Sequence, residues 1–345
     1  MTGRRGVVIL KSGNPFHDLK EYFVTEQDIP PAEEIIRYDK DPESRIATIT
    51  IDRPDALNAV TIAARRRYSD LIFKASIDDD VKVLVIRGIG DHLGTGADLD
   101  DMAKGTSGNA LYEEFGIDED EDVSMPSPRS YRNGASLTHW YGNVRSGCRS
   151  LQDFKKISIL EVKGYCYGWH FYQAADADLV VSSDDALFGH PAFRYIGYGP
   201  RMWQWAMTMG LRKFQEMVFT GRPFTAQEMY DCNFLNSVVS RDELEAETEK
   251  YARACARTRP TDTVFAQKVY FEIMKQFQGE SMGALLSAWL ETMGPQMRGD
   301  VDGRRSILDR ETMEAGLNNA VKDIDEGYPP EWRLSRSGRS KPSTE

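Results

Sequence analysis

Three absences narrow the reading before any motif is considered. The chain has four cysteines and five histidines, and neither set is arranged for chemistry. Cys148, Cys166, Cys232 and Cys255 form no CxxC pair and no disulfide framework, so they read as buried or idle thiols of a reducing compartment. The histidines are scattered without an HxxxH or HExxH pair, which argues against a zinc site and leaves no expected metal. Positive charge is short as well: 43 Lys and Arg face 54 Asp and Glu, a net charge of -11. A general nucleic-acid binder needs a basic surface to meet phosphates, so nucleic acid is not an expected partner. Apolar runs fall well below the roughly 20 residues of a membrane span. The amino-terminal apolar run of about four residues is shorter than the roughly 7–15 of a signal peptide. A cytoplasmic protein without a membrane partner is expected.

What is present is an ordinary globular composition, 41% hydrophobic and 28% charged over 345 residues. That length can bury one large core or two smaller ones. Residues 1–34 are polar, broken at Pro30-Pro31, and read as an extension. Ile35–Tyr38 and IATITI at Ile46–Ile51 predict paired strands, followed by the loop Asp55–Ala59. Thr61–Ser76 has helical spacing and Val81–Arg87 is a continuous apolar strand. Residues 103–132 have no clean period and an acidic run, and form a candidate insertion of the kind that serves as a lid or specificity element. Leu137–Lys155 predicts a helix. Further on, Met202–Val218 and Thr225–Asp231 predict helices separated by Gly221-Arg222-Pro223, and Val238-Val239 a short strand. From Leu244 the pattern is helical, with breaks near Pro260, Gly279 and Gly294–Gly303. No repeat of 20–50 residues is visible.

The most informative stretch is Ile157–Ser182, in which an apolar strand, a glycine-spaced turn, a short helix and a second apolar run follow without spacer. A helix beginning near Gly168 leaves first-turn N–H groups pointing outward with partial positive charge. The backbone at Gly168, Trp169 and His170 can therefore hold an oxyanion or a carbonyl oxygen. An ordinary strand-to-helix crossover accounts for the same local pattern. The loop GIGDHLGTGADLDDM, Gly88–Met102, lacks both a P-loop ending and a dinucleotide spacing. It too enters a helix, near Asp98 or Leu99, and two such donors converging on one oxygen would form an oxyanion hole.

Five segments in order carry a resemblance: TITIDRPDALNAV at Thr48–Val60, GDHLGTGADLDDM at Gly90–Met102, KGYCYG at Lys163–Gly168, DADLVVSSDDALFGHP at Asp176–Pro191 and FTGRPFTAQEM at Phe219–Met229. Together they resemble the crotonase, or enoyl-CoA hydratase/isomerase, superfamily from about Ile35 into the C-terminal helices. The resemblance implies an α/β fold of the ClpP/crotonase type, a spiral of repeated β-β-α units. It divides the chain into an extension at 1–34, a spiral core at 35–257 with the 103–132 insertion, and a helical region and tail at 258–345. The helical region would serve trimer assembly, giving a homotrimer or homohexamer. It implies an acyl-CoA thioester substrate and no permanently bound cofactor, coenzyme A being part of the substrate. The thioester carbonyl would lie between the N–H groups of Ala97 and Trp169. Ala56, Leu57 and Asn58, the backbone of Ala97, Asp98 and Leu99, and Gly168 would contact CoA.

The departures bear on the reaction. Where hydratases of the family carry two glutamates, this chain has Tyr172 and Ala192, and a family glycine is replaced by Trp169, which would set an indole at the mouth of the site. Tyr172 should face the substrate. As a base it would need a shift of roughly three pKa units, about 4 kcal/mol, so donating a proton or hydrogen bond is easier. Asp176 lies one turn beyond Tyr172 and could orient it, act as a base, or cap the helix. His190 is a further acid or base, and His139 a residue overhanging the acyl pocket, with structural packing the alternative for each. His170, about 200° round the helix from Tyr172, should point away from it. Asp178 reads as structural. The aromatics Tyr131, Trp140, Trp169 and Tyr172 suit a bulky acyl chain or a packed core equally. Three functions remain open: hydration, dehydration or double-bond isomerisation through a thioester enolate; C–C bond hydrolysis, decarboxylation or thioester hydrolysis; and noncatalytic acyl-CoA binding.

Overall fold

A computed structural model describes residues 29–99, 124, 130–132, 135–136, 138, 142, 147–194, 197–293 and 324–340. The 1–28 part of the expected extension, nearly all of the 103–132 insertion, and His139 and Trp140 lie outside the described residues.

The apolar runs form the strands of a six-stranded sheet: β1 (Ile36–Asp41), β2 (Ile46–Ile51), β3 (Val83–Gly88), β4 (Ile157–Val162), β6 (Leu179–Ser183) and β9 (Ser237–Val239), in the order β1-β2-β3-β4-β6-β9. Only β1 and β2 pair antiparallel, and the rest are parallel. Continuous apolar runs are needed because both faces are covered. Successive residues go to opposite sides: Val83, Val85, Ile159 and Val181 join one cluster with Leu244 and Ala252, while Leu84, Ile86, Leu160 and Val180 join the main core. Helix α7 (Leu244–Arg257) covers the first face. Helices α2 (Ile62–Ile77) and α3 (Trp169–Asp176) contribute Tyr68, Leu71, Phe171 and Ala174 to the second.

A smaller sheet completes each turn of a spiral. β5 (Tyr165–Tyr167), β7 (Leu187–Gly189) and β8 (Phe224–Thr225) pair in the order β5-β7-β8. The chain runs β4-β5-α3 and then β6-β7, passing from large sheet to small sheet twice. This is the α/β crotonase-type spiral that the resemblance implies.

Local chemistry sets the ends of these elements. Thr61 caps α2 by accepting the Ala64 N–H at 3.0 Å. Two buried lysines serve helix C-termini: Lys156 Nζ donates to Ala75 O at 2.8 Å and to Asp78 O beyond α2, and Lys82 Nζ donates to Ala256 O at 2.9 Å and to the carbonyls of Thr258 and Arg259 beyond α7.

Three expectations about elements change. Ile35 ends a short helix, α1 (Ala32–Ile35), before β1 begins. Met202–Val218 is two helices, α4 (Met202–Met209) and α5 (Leu211–Thr220), because Gly210 adopts φ +80° and turns the chain between them. The helix expected over Leu137–Lys155 is absent from Gly147–Lys155, where the chain makes turns and bends. There the Gly147 carbonyl is taken by side chains, accepting Trp169 Nε1–H at 2.8 Å and Gln173 Nε2–H at 3.1 Å.

Helix α6 (Ala226–Asp231) has a Thr225–Glu228 capping box, and α8 (Thr261–Phe277) and α9 (Glu280–Met293) follow the Pro260 and Gly279 breaks. Residues 324–340 return to the small sheet, where Tyr167 Oη–H donates to Leu334 O at 2.8 Å and the Arg336 N–H donates to Tyr165 Oη at 2.8 Å. No described helix is long and apolar enough to cross a membrane.

Candidate active site

Between Leu93 and Asp98 the backbone is clamped from two sides, and the use of each amide can be followed in turn. Leu93 N–H donates to Lys163 O and Gly94 N–H to Tyr165 O, both at 2.8 Å, which ties the loop to β5. Thr95 N–H donates to Leu57 O at 3.1 Å and Asp98 N–H to Val60 O at 2.9 Å, which ties it to the loop after β2. Gly96 N–H donates to His170 Nδ1 at 3.0 Å. Only Ala97 is left: among the described residues its N–H meets no acceptor.

The second unengaged amide lies against the first loop. Gly168, at φ +54°, precedes α3 and donates its N–H to Gly189 O at 3.1 Å, whereas Trp169 N–H, the first of the helix, has no acceptor among the described residues. A β-carbon on Gly96 would lie 3.2 Å from Trp169 N, from Gly168 Cα and from Tyr167 O. Glycine allows this approach without displacing the neighbouring backbone. Two free donors, one from each loop, thus belong to segments in direct contact.

The residues expected to touch CoA form the neighbouring loop. Leu57 and Asn58 adopt left-handed φ values of 51° and 56°. The Asn58 side chain is buried and pins the backbone: Oδ1 accepts Arg53 N–H at 2.8 Å, and Nδ2 donates to Ile89 O at 2.9 Å and His92 O at 2.8 Å. Asp98 forms an ion pair with Arg53 at 2.6 Å, joining the two loops again. Of the CoA group, Leu57 is exposed, Ala56, Asp98 and Leu99 are partly so, and Asn58 is buried.

The side chains sort differently from expectation. Trp169 does not stand at the mouth of the site: it is 1% exposed, its indole N–H bonds Gly147 O, and its ring meets Tyr68 edge-on at 4.9 Å. A side chain at this first helical position points back into the core while its N–H faces the loop, so the bulk is buried and the donor kept. Tyr172 lies 5.5 Å from His190 and 5.6 Å from Trp205, ring centre to ring centre. Tyr172 and His190 are therefore neighbours. His190 Nε2 lies 3.1 Å from Tyr198 O and must donate to it, leaving Nδ1 unprotonated and buried with no partner among the described residues. Burial lowers the His190 pKa to about 4, the Tyr198 carbonyl opposing the shift, and the ring is neutral near pH 7.

Asp176 does not serve Tyr172. Its carboxylate is ion-paired with the fully buried Arg201, and a buried guanidinium requires that partner. Asp178 is structural, as expected: Oδ2 accepts the Ser158 N–H at 2.8 Å and Oδ1 the Lys268 ammonium at 2.6 Å. Tyr131 is 67% exposed and does not line a buried pocket. Two groups escape a motif-based reading. His170 faces away from Tyr172, as its spacing predicts, but onto the Gly96 amide. Glu291, on α9, has one buried carboxyl oxygen without a hydrogen-bond partner among the described residues. Its pKa is raised to about 7 by burial, against the pull of Arg65. No group of three His, Cys, Asp or Glu among the described residues could hold a metal ion.

Known proteins share this fold. The profile of the enoyl-CoA hydratase/isomerase family matches residues 130–284. A Mycobacterium tuberculosis protein assigned as enoyl-CoA hydratase EchA13 is 27% identical over 228 residues, 65% of this chain and 69% of that one. A crystal structure of a Mycobacterium thermoresistibile protein assigned as an enoyl-CoA hydratase superposes with a TM-score of 0.61 at 26% identity, covering 75% of this chain and 94% of that one. The chain is similar to the enoyl-CoA hydratase/isomerase family over residues 130–284 and shares the fold of that solved structure. A second curated relative, the mevalonyl-coenzyme A hydratase sidH of Aspergillus fumigatus, is 23% identical over 301 residues, 86% of this chain and 94% of its own. Within that resemblance two side chains depart: Tyr172 and the partly exposed Ala192 occupy the two positions at which it leads one to expect glutamate.

Proposed function

We propose that this protein is a crotonase that binds an acyl-CoA thioester with its carbonyl oxygen between the N–H groups of Ala97 and Trp169, and performs hydration, dehydration or double-bond isomerisation through the enolate. The observation that carries this reading is the pair of unengaged amides on two loops held in contact at Gly96 and Gly168. Charge developing on a thioester oxygen is met by dipoles already oriented, each donor contributing roughly 3–4 kcal/mol to the transition state. The N-terminus of α3 adds to the field in the same direction. Tyr172 donates a hydrogen bond or proton to the reacting group, and the neutral His190 ring beside it helps fix the Tyr172 ring. CoA itself lies along Ala56–Asn58 and Ala97–Leu99.

A second reading keeps the oxyanion hole and cleaves a C–C or thioester bond. The replacement of both expected glutamates by Tyr172 and Ala192 favours it, because a hydratase needs groups to manage water and the α-proton.

Self-association is part of the proposal. Helices α8 and α9 expose Tyr270, Phe271, Phe277, Met282, Leu285 and Leu286, more apolar surface than a lone helix pair ordinarily shows to water, and a homotrimer or homohexamer would cover it.

The test is incubation with α-deuterated acyl-CoAs and a panel of enoyl and hydroxyacyl thioesters, read by mass spectrometry. Addition of water with an intact chain, or deuterium loss without a change of skeleton, supports the first reading. Fragmentation supports the second. A panel in which no deuterium washes out and no thioester changes mass sinks both and leaves an acyl-CoA-binding subunit.

A further inference from the structure

Gly96 is the least constrained residue of the loop by type, with φ +112° in a region that only glycine visits freely. Yet the orientation of the next amide, that of Ala97, depends on its two torsions. Both are locked from outside. The peptide after Gly96 is held through its carbonyl, which accepts Val60 N–H at 2.9 Å. The peptide before it is held through its N–H, which donates to His170 Nδ1 at 3.0 Å. An amide can only donate, so Nδ1 presents a lone pair and the ring proton sits on Nε2.

The imidazole itself has little room to move. It is fully buried, meets the Trp169 indole edge-on at 5.1 Å, and fills the space a side chain on Gly94 would need, its Cε1 lying 2.3 Å from where that β-carbon would be. Burial lowers its pKa to about 3, the neighbouring Tyr167 carbonyl opposing the shift, so the ring remains a neutral acceptor throughout ordinary assay conditions.

We propose that His170 is a positioning residue for the reaction: its Nδ1 holds the Gly96 amide so that the Ala97 N–H projects beside that of Trp169. The inference rests on the oxyanion reading given above. It assigns to the second residue of α3 the job of aligning a donor on a different loop, so that the same helix supplies one donor through its backbone and fixes the other through a side chain. The imidazole is not a proton carrier here.

The experiment uses the full chain and a chromophoric thioester, 4-dimethylaminocinnamoyl-CoA, whose absorption moves to the red when its carbonyl is polarised. The wild type is expected to bind it with a red shift. His170→Leu should bind it with similar affinity and lose most of the shift, while His170→Asn, whose amide oxygen can accept from Gly96, should retain it. For any thioester that turns over, His170→Leu should lower kcat by about tenfold or more with KM nearly unchanged. A full shift in folded His170→Leu overturns the role of His170 and leaves the oxyanion hole standing. Binding without any shift in the wild type overturns the hole and this inference with it. If the leucine variant does not fold, long-range proton–nitrogen NMR correlations of the unaltered protein still decide: Nδ1 should be the unprotonated nitrogen, and a proton on Nδ1 overturns the proposal.

Discussion

Gly96 and Gly168 meet backbone to backbone: a β-carbon on either would lie 3.2–3.3 Å from the other's Cα. The two loops that carry the free amides touch at the two residues without side chains. Replacing Gly96 by alanine places a methyl group against Trp169 N and strains a residue at φ +112°. We expect Gly96→Ala to lower stability by about 1–3 kcal/mol. Turnover should fall further than stability explains, since a displacement of even 1 Å between reacting groups costs on the order of 100-fold. Urea midpoints and rates on one preparation compare the two, and wild-type turnover would show that the loops need not meet here.

Ala97→Pro deletes a donor that serves no hydrogen bond among the described residues. The flanking bonds to Val60, from Gly96 O and Asp98 N, do not involve it. Turnover should therefore drop by about 10²–10³ while the assembly, followed by light scattering, is retained. Full activity would remove Ala97 from the site.

Tyr172→Phe isolates a hydroxyl. With a reference pKa of about 10 the phenol is a donor rather than a base near neutral pH. If it donates to the reacting group, kcat should fall by roughly 10²-fold or more with KM little changed. An unchanged rate would return Tyr172 to lining the pocket.

Asp176→Asn tests a structural role against a chemical one. Arg201 is fully buried, and apart from Asp176 it has the Gln204 amide, whose oxygen accepts from it at 2.9 Å in the orientation that satisfies both groups. Removing the carboxylate leaves a buried charge uncompensated, at a loss of about 3–5 kcal/mol. The paired variant Asp176→Leu/Arg201→Met should recover most of that stability. A general base would behave oppositely, with activity lost and thermal stability kept.

The spiral was legible because its signals are local. Period and branching marked β2 to the residue, Thr61 and Thr225 announced their helices, and a glycine before Trp169 marked the start of α3. The free amides followed from the same helix-start logic. What could not be read was the direction of side chains whose partners are remote in sequence. Trp169 turns inward to Gly147, Asp176 to Arg201 and His170 to Gly96. Each choice depends on a residue 22 to 74 positions away, and no periodicity encodes it. The Gly147 turn was missed for the same reason, since its carbonyl is claimed by a helix that comes later in the chain.

His190 should make the fold acid-sensitive in a defined window. Burial lowers its pKa from 6.5 to about 4, so between those values the unfolded chain binds a proton that the folded one does not. Its contribution is fully present above pH 6.5 and is lost as pH falls toward 4, at up to about 1.4 kcal/mol per pH unit. His190→Gln keeps a donor for the Tyr198 carbonyl and removes the titration. Between pH 6.5 and 4.5 the wild type should lose on the order of 2 kcal/mol more stability than the glutamine variant. His170 and Glu291 titrate in both proteins and cancel in the difference. Parallel stability curves from urea unfolding would mean that His190 takes up its proton within the fold, and the neutral ring beside Tyr172 would have to be abandoned.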